Sequence, residues 1–145
     1  SAMANVYDVA AYILERTGPI TTMKLQKLVY YSHAWSLVWD EAPLFPERIR
    51  AWAGGPVVHE LFNHHQGQYT VAQEPAGRPD RLTPAQAETV DAILKFYGDK
   101  SGAWLSDLTH REAPWINARA GLADGERGNA EITHAAMAEY YSNLG

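Results

Sequence analysis

The sequence predicts a mainly α, compact multi-helix domain with a small two- or three-stranded β element inserted near its middle (α+β). Three observations carry this expectation. Segments opened by the capping residues Asn5, Thr83, Ser101 and Thr133 each bring apolar residues at one-face helical spacing. A long stretch from Thr22 to Trp39 is apolar on nearly every side, the pattern of a helix wrapped by others. Arg48-Ile49-Arg50-Ala51-Trp52 alternates with a period of two, as a short strand does.

Taken in order, Asn5 caps a first helix on which Val6, Val9, Ala10, Ile13 and Leu14 share a face, and Gly18-Pro19 ends it. The second helix, about Thr22 to Trp39, carries one apolar stripe at Leu25, Leu28, Val29, Trp35 and Trp39. A second stripe at Tyr30, Ala34, Leu37 and Val38 makes it the expected hub of the core. Pro43 and Pro46 break the helical pattern before the alternating strand. Gly54-Gly55-Pro56 reads as a tight turn, with Pro56 opening a helix from Val57 to about His65. Tyr69-Thr70-Val71 reads as a second strand paired with the first. Thr83-Pro84-Ala85-Gln86 combines a cap, a proline at the first helical position and a capping box, and Val90, Ile93, Leu94 and Tyr97 give that helix its buried face. Ser101 caps a helix with Trp104, Leu105 and Leu108. Pro114 opens a short one with Trp115 and Ile116, and Thr133 caps the last, with Ala136, Met137, Tyr140 and Tyr141. The stretches Gln66 to Arg81 and Gly121 to Asn129 read as surface loops within one domain spanning 4–145. Ser1-Ala2 reads as a cloning scar before a native Met3.

Composition narrows the function classes. Hydrophobic residues make up 46% of the 145 residues, with five Trp, eight Tyr and three Phe, enough for a single folded core. The absence of cysteine removes disulfides, thiolate zinc sites and cysteine nucleophiles, and it fits a reducing compartment. No run approaches the roughly 20 apolar residues of a membrane span, so a cytoplasmic protein without a membrane partner is expected. The formal net charge is -5, with five acids and five bases up to Trp52 but nine acids against five bases from Pro84 onward. Duplex binders present a basic face to phosphates. None is legible, which speaks against nucleic acid and leaves a basic protein partner as the better match.

The search for chemistry returns little. His59-Glu60-Leu61-Phe62-Asn63-His64-His65 invites comparison with the H-E-x-x-H zinc helix, but Asn63 stands where the second histidine belongs. At about 100° per residue, His59 and His64 diverge by about 140°, so the expectation is a solvated histidine-rich helix end, with no metal. There is no G-x-S-x-G elbow, no Walker loop and no G-x-G-x-x-G. Asp107 and His110, one helical turn apart, read as a structural hydrogen bond rather than a proton-transfer pair. The expectation is a non-enzyme without a cofactor.

Two features do not read as plain core. Lys24 and Lys27 sit in the first turns of a helix, where its dipole disfavours them; they are snorkelling surface lysines or partner contacts. On the alternating strand, inward Ile49 and Ala51 leave Arg50 and Trp52 facing outward together, and both residue types are enriched at binding hot spots. Trp52 packed beneath a neighbouring loop is the equal alternative.

Four blocks in order bring a family into view. Met23-Lys24-Leu25-Gln26-Lys27-Leu28-Val29-Tyr30-Tyr31 resembles the K-L-Q-K-L-x-Y-Y signature of the Panacea domain, formerly an uncharacterised phage-associated family. Ala51-Trp52-x-x-Gly55-Pro56-Val57 resembles its A-W-x-x-G-P-V block. Leu105-Ser106-x-x-Thr109-His110-x-x-x-Pro114-Trp115 resembles its L-S-x-x-T-H-x-x-x-P-W block, and Ile132-Thr133 the start of its closing helix. The His64-His65 pair looks peculiar to this member. The resemblance implies an antitoxin of a toxin–antitoxin system, which neutralises a growth- or translation-inhibiting toxin by direct protein–protein binding. A smaller branch resembles adaptors that deliver a bound toxin to a protease, and self-repression by operator binding is a further alternative. The expected partner is thus a cognate toxin, with a protease or a second copy of the chain as additional candidates. Lys24, Lys27, Arg50, Trp52, Gly55 and Pro56 mark the expected contact region. Leu25, Leu28, Tyr31, Trp104, His110, Pro114 and Trp115 are the expected structural signature, with Leu25, Leu28, Tyr31, Trp104 and Trp115 sized for the core.

Overall fold

The capping residues named from the sequence do open helices, and their side-chain oxygens account for why. The structure, a computed structural model, describes residues 3–144; Ser1-Ala2, where a cloning scar is expected, lies outside them. Asn5 and Asp8 form a reciprocal capping box at the start of α1 (Val6–Thr17). Thr21 accepts from the Lys24 amide to start α2 (Thr22–Trp39). Thr83 and Gln86 form a second capping box on α4 (Pro84–Tyr97). Ser101 caps α5 (Gly102–Thr109) and Thr133 caps α7 (His134–Ser142). Each such oxygen satisfies an amide that has no partner within its own helix. Between α5 and α7 lies α6 (Ala113–Ala118), with Pro114 in its first turn.

The β element departs from the expected pairing. β2 (Ile49–Trp52) is the alternating strand, but its antiparallel neighbours are β3 (Gly55–Val58) and β5 (Glu131–Ile132), in the order β3-β2-β5. The register sets Ile49 opposite Val58 and Trp52 opposite Gly55. The segment expected to open a helix at Pro56 is therefore a strand, and α3 (His59–His64) begins two residues later. A proline survives there because β3 is an edge strand, where its missing amide interrupts no ladder. Thr70–Val71, as β4, pairs with β1 (Ile20–Thr21) instead of with β2. Pro79–Arg81 adds one 3-10 turn.

α2 is the hub. It packs against α1, α4, α5 and α7 on its helical sides and against β3 on another. Leu25, Leu28, Val29, Tyr30, Tyr31 and Ala34 are buried along it, together with Gln26, Lys27, Ser32, His33 and Ser36. Trp39, assigned to its apolar stripe, is exposed at the helix end. Buried polar side chains on a central helix need partners, and following those of Gln26 and Lys27 leads to the β2–β3 hairpin. Among the described residues no helix is long and apolar enough to cross a membrane.

Candidate functional site

The β2–β3 hairpin is held from beneath by side chains rather than by further strands. Gln26 matches the backbone of Val58 like a strand neighbour: its Nε2 donates to the Val58 carbonyl at 3.2 Å and its Oε1 accepts from the Val58 amide at 2.9 Å. Lys27 Nζ donates to the carbonyl of Pro56 at 3.2 Å. From α5, Ser106 Oγ donates to the Gly54 carbonyl at 2.7 Å, and just beyond it His110 Nε2 lies 3.0 Å from the Ala53 carbonyl. From α6, Trp115 Nε1 donates to the Trp52 carbonyl at 2.8 Å. Arg119 Nη1, one residue past α6, reaches the Ala51 carbonyl at 3.2 Å. Each of these hydrogen bonds contributes about 0.5–1.5 kcal/mol and fixes a main-chain position of the hairpin. The result is a rigid turn.

Gly55 is fixed by space as well as by backbone. Its φ is +118°, and a Cβ built there would lie 2.6 Å from Lys27 Cε and 3.1 Å from Thr109 Oγ1. Lys27 fills that space while being only 2% exposed, and among the described residues no carboxylate pairs with it. Burial without a counter-charge lowers its pKa to about 8. The amine is a strut under the turn.

On the outer side of this frame lies a cleft of ≈ 290 Å³, walled by Met23, Lys27, Trp52, Val57, Phe62 and His65 among others. Its rim is apolar and open to solvent: Met23 is 45% exposed and Phe62 40%. The ring of Trp52 stands edge-on to Phe62 at 4.9 Å between centroids and 5.5 Å from His59. Its indole N–H donates to Asn129 Oδ1 at 2.8 Å, which pins the ring to the 121–129 loop. The volume sits at the low end for a small-molecule site and suits one inserted side chain. Exposed Phe and Met beside a half-buried Trp around a small cavity are the composition of a protein-docking centre.

The sequence model of the family described as "Antitoxin SocA-like, Panacea domain" matches residues 25–116, well over half of the chain. This chain belongs to that family. An antitoxin-type role, with a toxin as partner in the general sense, follows from membership. No curated protein and no solved structure matches the chain.

The Panacea signature now has a physical meaning, because the blocks hold one another. The side chains of the first and third blocks bind the backbone of the second. Trp115, Leu25, Leu28 and Tyr31 are buried as expected, and Pro114 is buried where it opens α6. His110 bonds two carbonyls, those of Ser106 and Ala53, and its ring packs on Trp115 at 4.0 Å. Asp107 is not its partner.

Trp104 is a correction. It is 43% exposed, beneath the Lys100 ammonium at 5.2 Å, because the inward face of α5 belongs to Leu105, Ser106 and Thr109. Within the expected contact region, Lys27, Gly55 and Pro56 are buried supports of the hairpin. Lys24 donates to the Gly98 carbonyl at 2.7 Å, where a cation complements the C-terminal end of α4. Arg50 and Trp52 alternate outward as read from the strand and are half-buried. Among the described residues the Arg50 guanidinium has no ion-pair partner. The solvated histidine end is also corrected. His65 is buried, and both His64 and His65 bond Glu74.

Several residues escaped the sequence reading. Phe62 was passed over as part of a failed histidine motif. Glu112 is buried and accepts from both Tyr31 and Tyr141 hydroxyls at 2.7 Å, with Tyr30 bonded to Tyr141 at 2.9 Å. Burial raises its carboxyl pKa, and the two phenols oppose that rise. Arg119, next to a loop of no evident pattern, also grips the Ala123 and Glu126 carbonyls at 3.0 and 2.6 Å. Its signal was an arginine beside a glycine-rich stretch, which alone distinguishes nothing.

Proposed function

We propose that this chain neutralises a cognate growth- or translation-inhibiting toxin by direct protein–protein binding in the cytoplasm, without catalysis, and that the toxin inserts an apolar side chain into the cleft bordered by Met23, Trp52 and Phe62. The observation that carries this reading is the juxtaposition of a rigid hairpin with an apolar Met23–Trp52–Phe62 rim on which Met23 and Phe62 are exposed. Docking is strongest where the contact surface is ordered before the partner arrives, since less freedom is then lost. The frame beneath Trp52 supplies that order. The acidic balance of the chain suits steering a basic partner, and Arg50, without an ion-pair partner among the described residues, offers a cation for an acidic group at the contact.

The non-catalytic reading rests on what the polar groups of the region already do. Of the side chains with nucleophile or base chemistry near the cleft, Lys27, Ser106 and His110 spend hydrogen bonds on the hairpin backbone and His65 spends one on Glu74.

The test uses the toxin encoded by the neighbouring reading frame. Co-expression of this chain is expected to restore growth, and calorimetry with the purified pair to report binding. Trp52→Ala and Phe62→Ala, each checked for folding by circular dichroism, are expected to cost about 2 kcal/mol or more of binding, some 30-fold in affinity. Unchanged affinity in both folded variants rejects this surface. Following the toxin's level in cells separates sequestration from delivery to a protease: a stable toxin supports the reading, and its degradation replaces it with the adaptor.

A further inference from the structure

Away from the hairpin frame, the end of α3 and the 66–81 loop meet in a cluster of three donor side chains. His64 Nδ1 and His65 Nε2 each lie 2.8 Å from the same oxygen, Glu74 Oε1. The side chains of His64, His65 and Glu74 are 39%, 6% and 0% exposed. The other carboxylate oxygen, Oε2, accepts from the Ala76 amide at 3.0 Å, which fixes the carboxylate and turns Oε1 toward the histidines. The imidazoles are near-parallel at 5.7 Å, and Tyr7 backs His64 edge-on at 5.1 Å.

We propose that His64, His65 and Glu74 bind one divalent transition-metal ion of the zinc class, clipping the 66–81 loop to the end of α3. Neighbouring residues on a helix diverge by about 100° and do not share a ligand. Here they converge for two reasons. His65 has left the helix, at φ -107° and ψ 14°, and it uses its far nitrogen while His64 uses its near one. The three donor atoms all lie within 4.8 Å of one another. Zinc bonds of about 2.0–2.2 Å place tetrahedral ligand atoms about 3.3 Å apart, so the 2.8 Å contacts need to open by about half an ångström. Two imidazoles and one carboxylate suit zinc and its neighbours, whereas magnesium and calcium prefer oxygen alone. Charge points the same way. Glu74 is a buried carboxylate, and among the described residues no lysine or arginine pairs with it. A buried anion calls for a nearby positive charge, and a dication supplies it. The ion would leave a fourth position for water beside the exposed His64. Gln66, Gly67 and Gln68, which follow the ligand pair and line the apolar cleft, would be held in place by it.

The test is calorimetric titration of the chain with Zn2+ alone, beside Mg2+ as a control. One Zn2+ per chain, no Mg2+ binding and a raised melting temperature in Zn2+ are expected. His64 is exposed enough for His64→Ala to fold, and this variant is expected to weaken Zn2+ binding by more than the roughly 10- to 100-fold that loss of an outer-sphere partner brings. His59→Ala, on the same helix but outside the cluster, is expected to change nothing. X-ray absorption of the loaded protein is expected to report two imidazole ligands. Absence of Zn2+ binding, or binding that His64→Ala leaves intact, overturns the site and leaves a hydrogen-bonded triad.

Discussion

Trp115 donates its indole N–H to the backbone carbonyl of Trp52 at 2.8 Å, so a tryptophan of the core sets the position of a tryptophan on the cleft. Trp115→Phe keeps most of the buried ring and removes the donor. It is expected to cost about 0.5–1.5 kcal/mol of stability by removing the indole's hydrogen bond to the Trp52 carbonyl. It should also weaken toxin binding without touching the toxin, because Trp52 loses its anchor. Urea denaturation and calorimetry on one preparation measure both effects.

Gln26 replaces a missing strand. Gln26→Leu keeps the volume but strands the amide of Val58 in the interior and removes a side-chain donor from its carbonyl. The expected loss is about 1–3 kcal/mol, larger than for an ordinary surface hydrogen bond. The amide proton of Val58 should also lose its protection in hydrogen exchange. Retention of slow exchange at Val58 would show that another group takes over.

Gly55→Ala is expected to destabilise the chain by about 1–3 kcal/mol, since φ +118° is foreign to alanine and the added methyl meets Lys27 Cε. Lys27→Ala removes the steric part alone. The double variant should therefore lose less than the sum of the two single ones, read from their melting curves.

Lys27 also predicts a pH dependence. Its amine titrates near 8 when folded and at its ordinary 10.5 when unfolded. The unfolded chain thus holds more protons above pH 8, and stability rises with pH there. The penalty of the buried charge is complete below pH 8 and is relieved progressively above it. Burial pushes the Tyr30, Tyr31 and Tyr141 phenols up, so the unfolded chain releases those protons first and the slope reverses above about pH 10. Between pH 8 and 10 the contribution of Lys27 is on the order of 2 kcal/mol, partly offset by the phenols toward pH 10. Lys27→Met should abolish the rise. A flat profile in the wild-type chain would refute the argument.

What could be read from the sequence follows the range of each interaction. Asn5, Thr83, Ser101 and Thr133 act on amides two or three residues away, so their helices were legible. The hub role of α2 was legible because its apolar residues surround the axis. Pro56 misled, since its tolerance on an edge strand depends on which strands are neighbours, and that is set by Glu131–Ile132 far along the chain. Trp104 shares the spacing of Leu105 and Leu108, and size alone placed it in the core. Lys27 read as a surface or partner lysine because burial of an amine is decided by the glycine that makes room for it. The His64–His65–Glu74 cluster follows no fixed spacing; a loop closes it. At the cleft, Trp52 and Arg50 were legible from alternation, whereas Phe62 became visible only once the hairpin placed Trp52 beside it.

The way the hairpin is gripped has a consequence for how partner choice can change. The six side chains beneath it bind main-chain atoms, which every residue type possesses, and they are indifferent to what projects above. Arg50, Trp52 and Phe62 can therefore be exchanged without disturbing the grip. Grafting these three positions from one Panacea chain to another should transfer toxin preference while leaving the melting temperature nearly where it was.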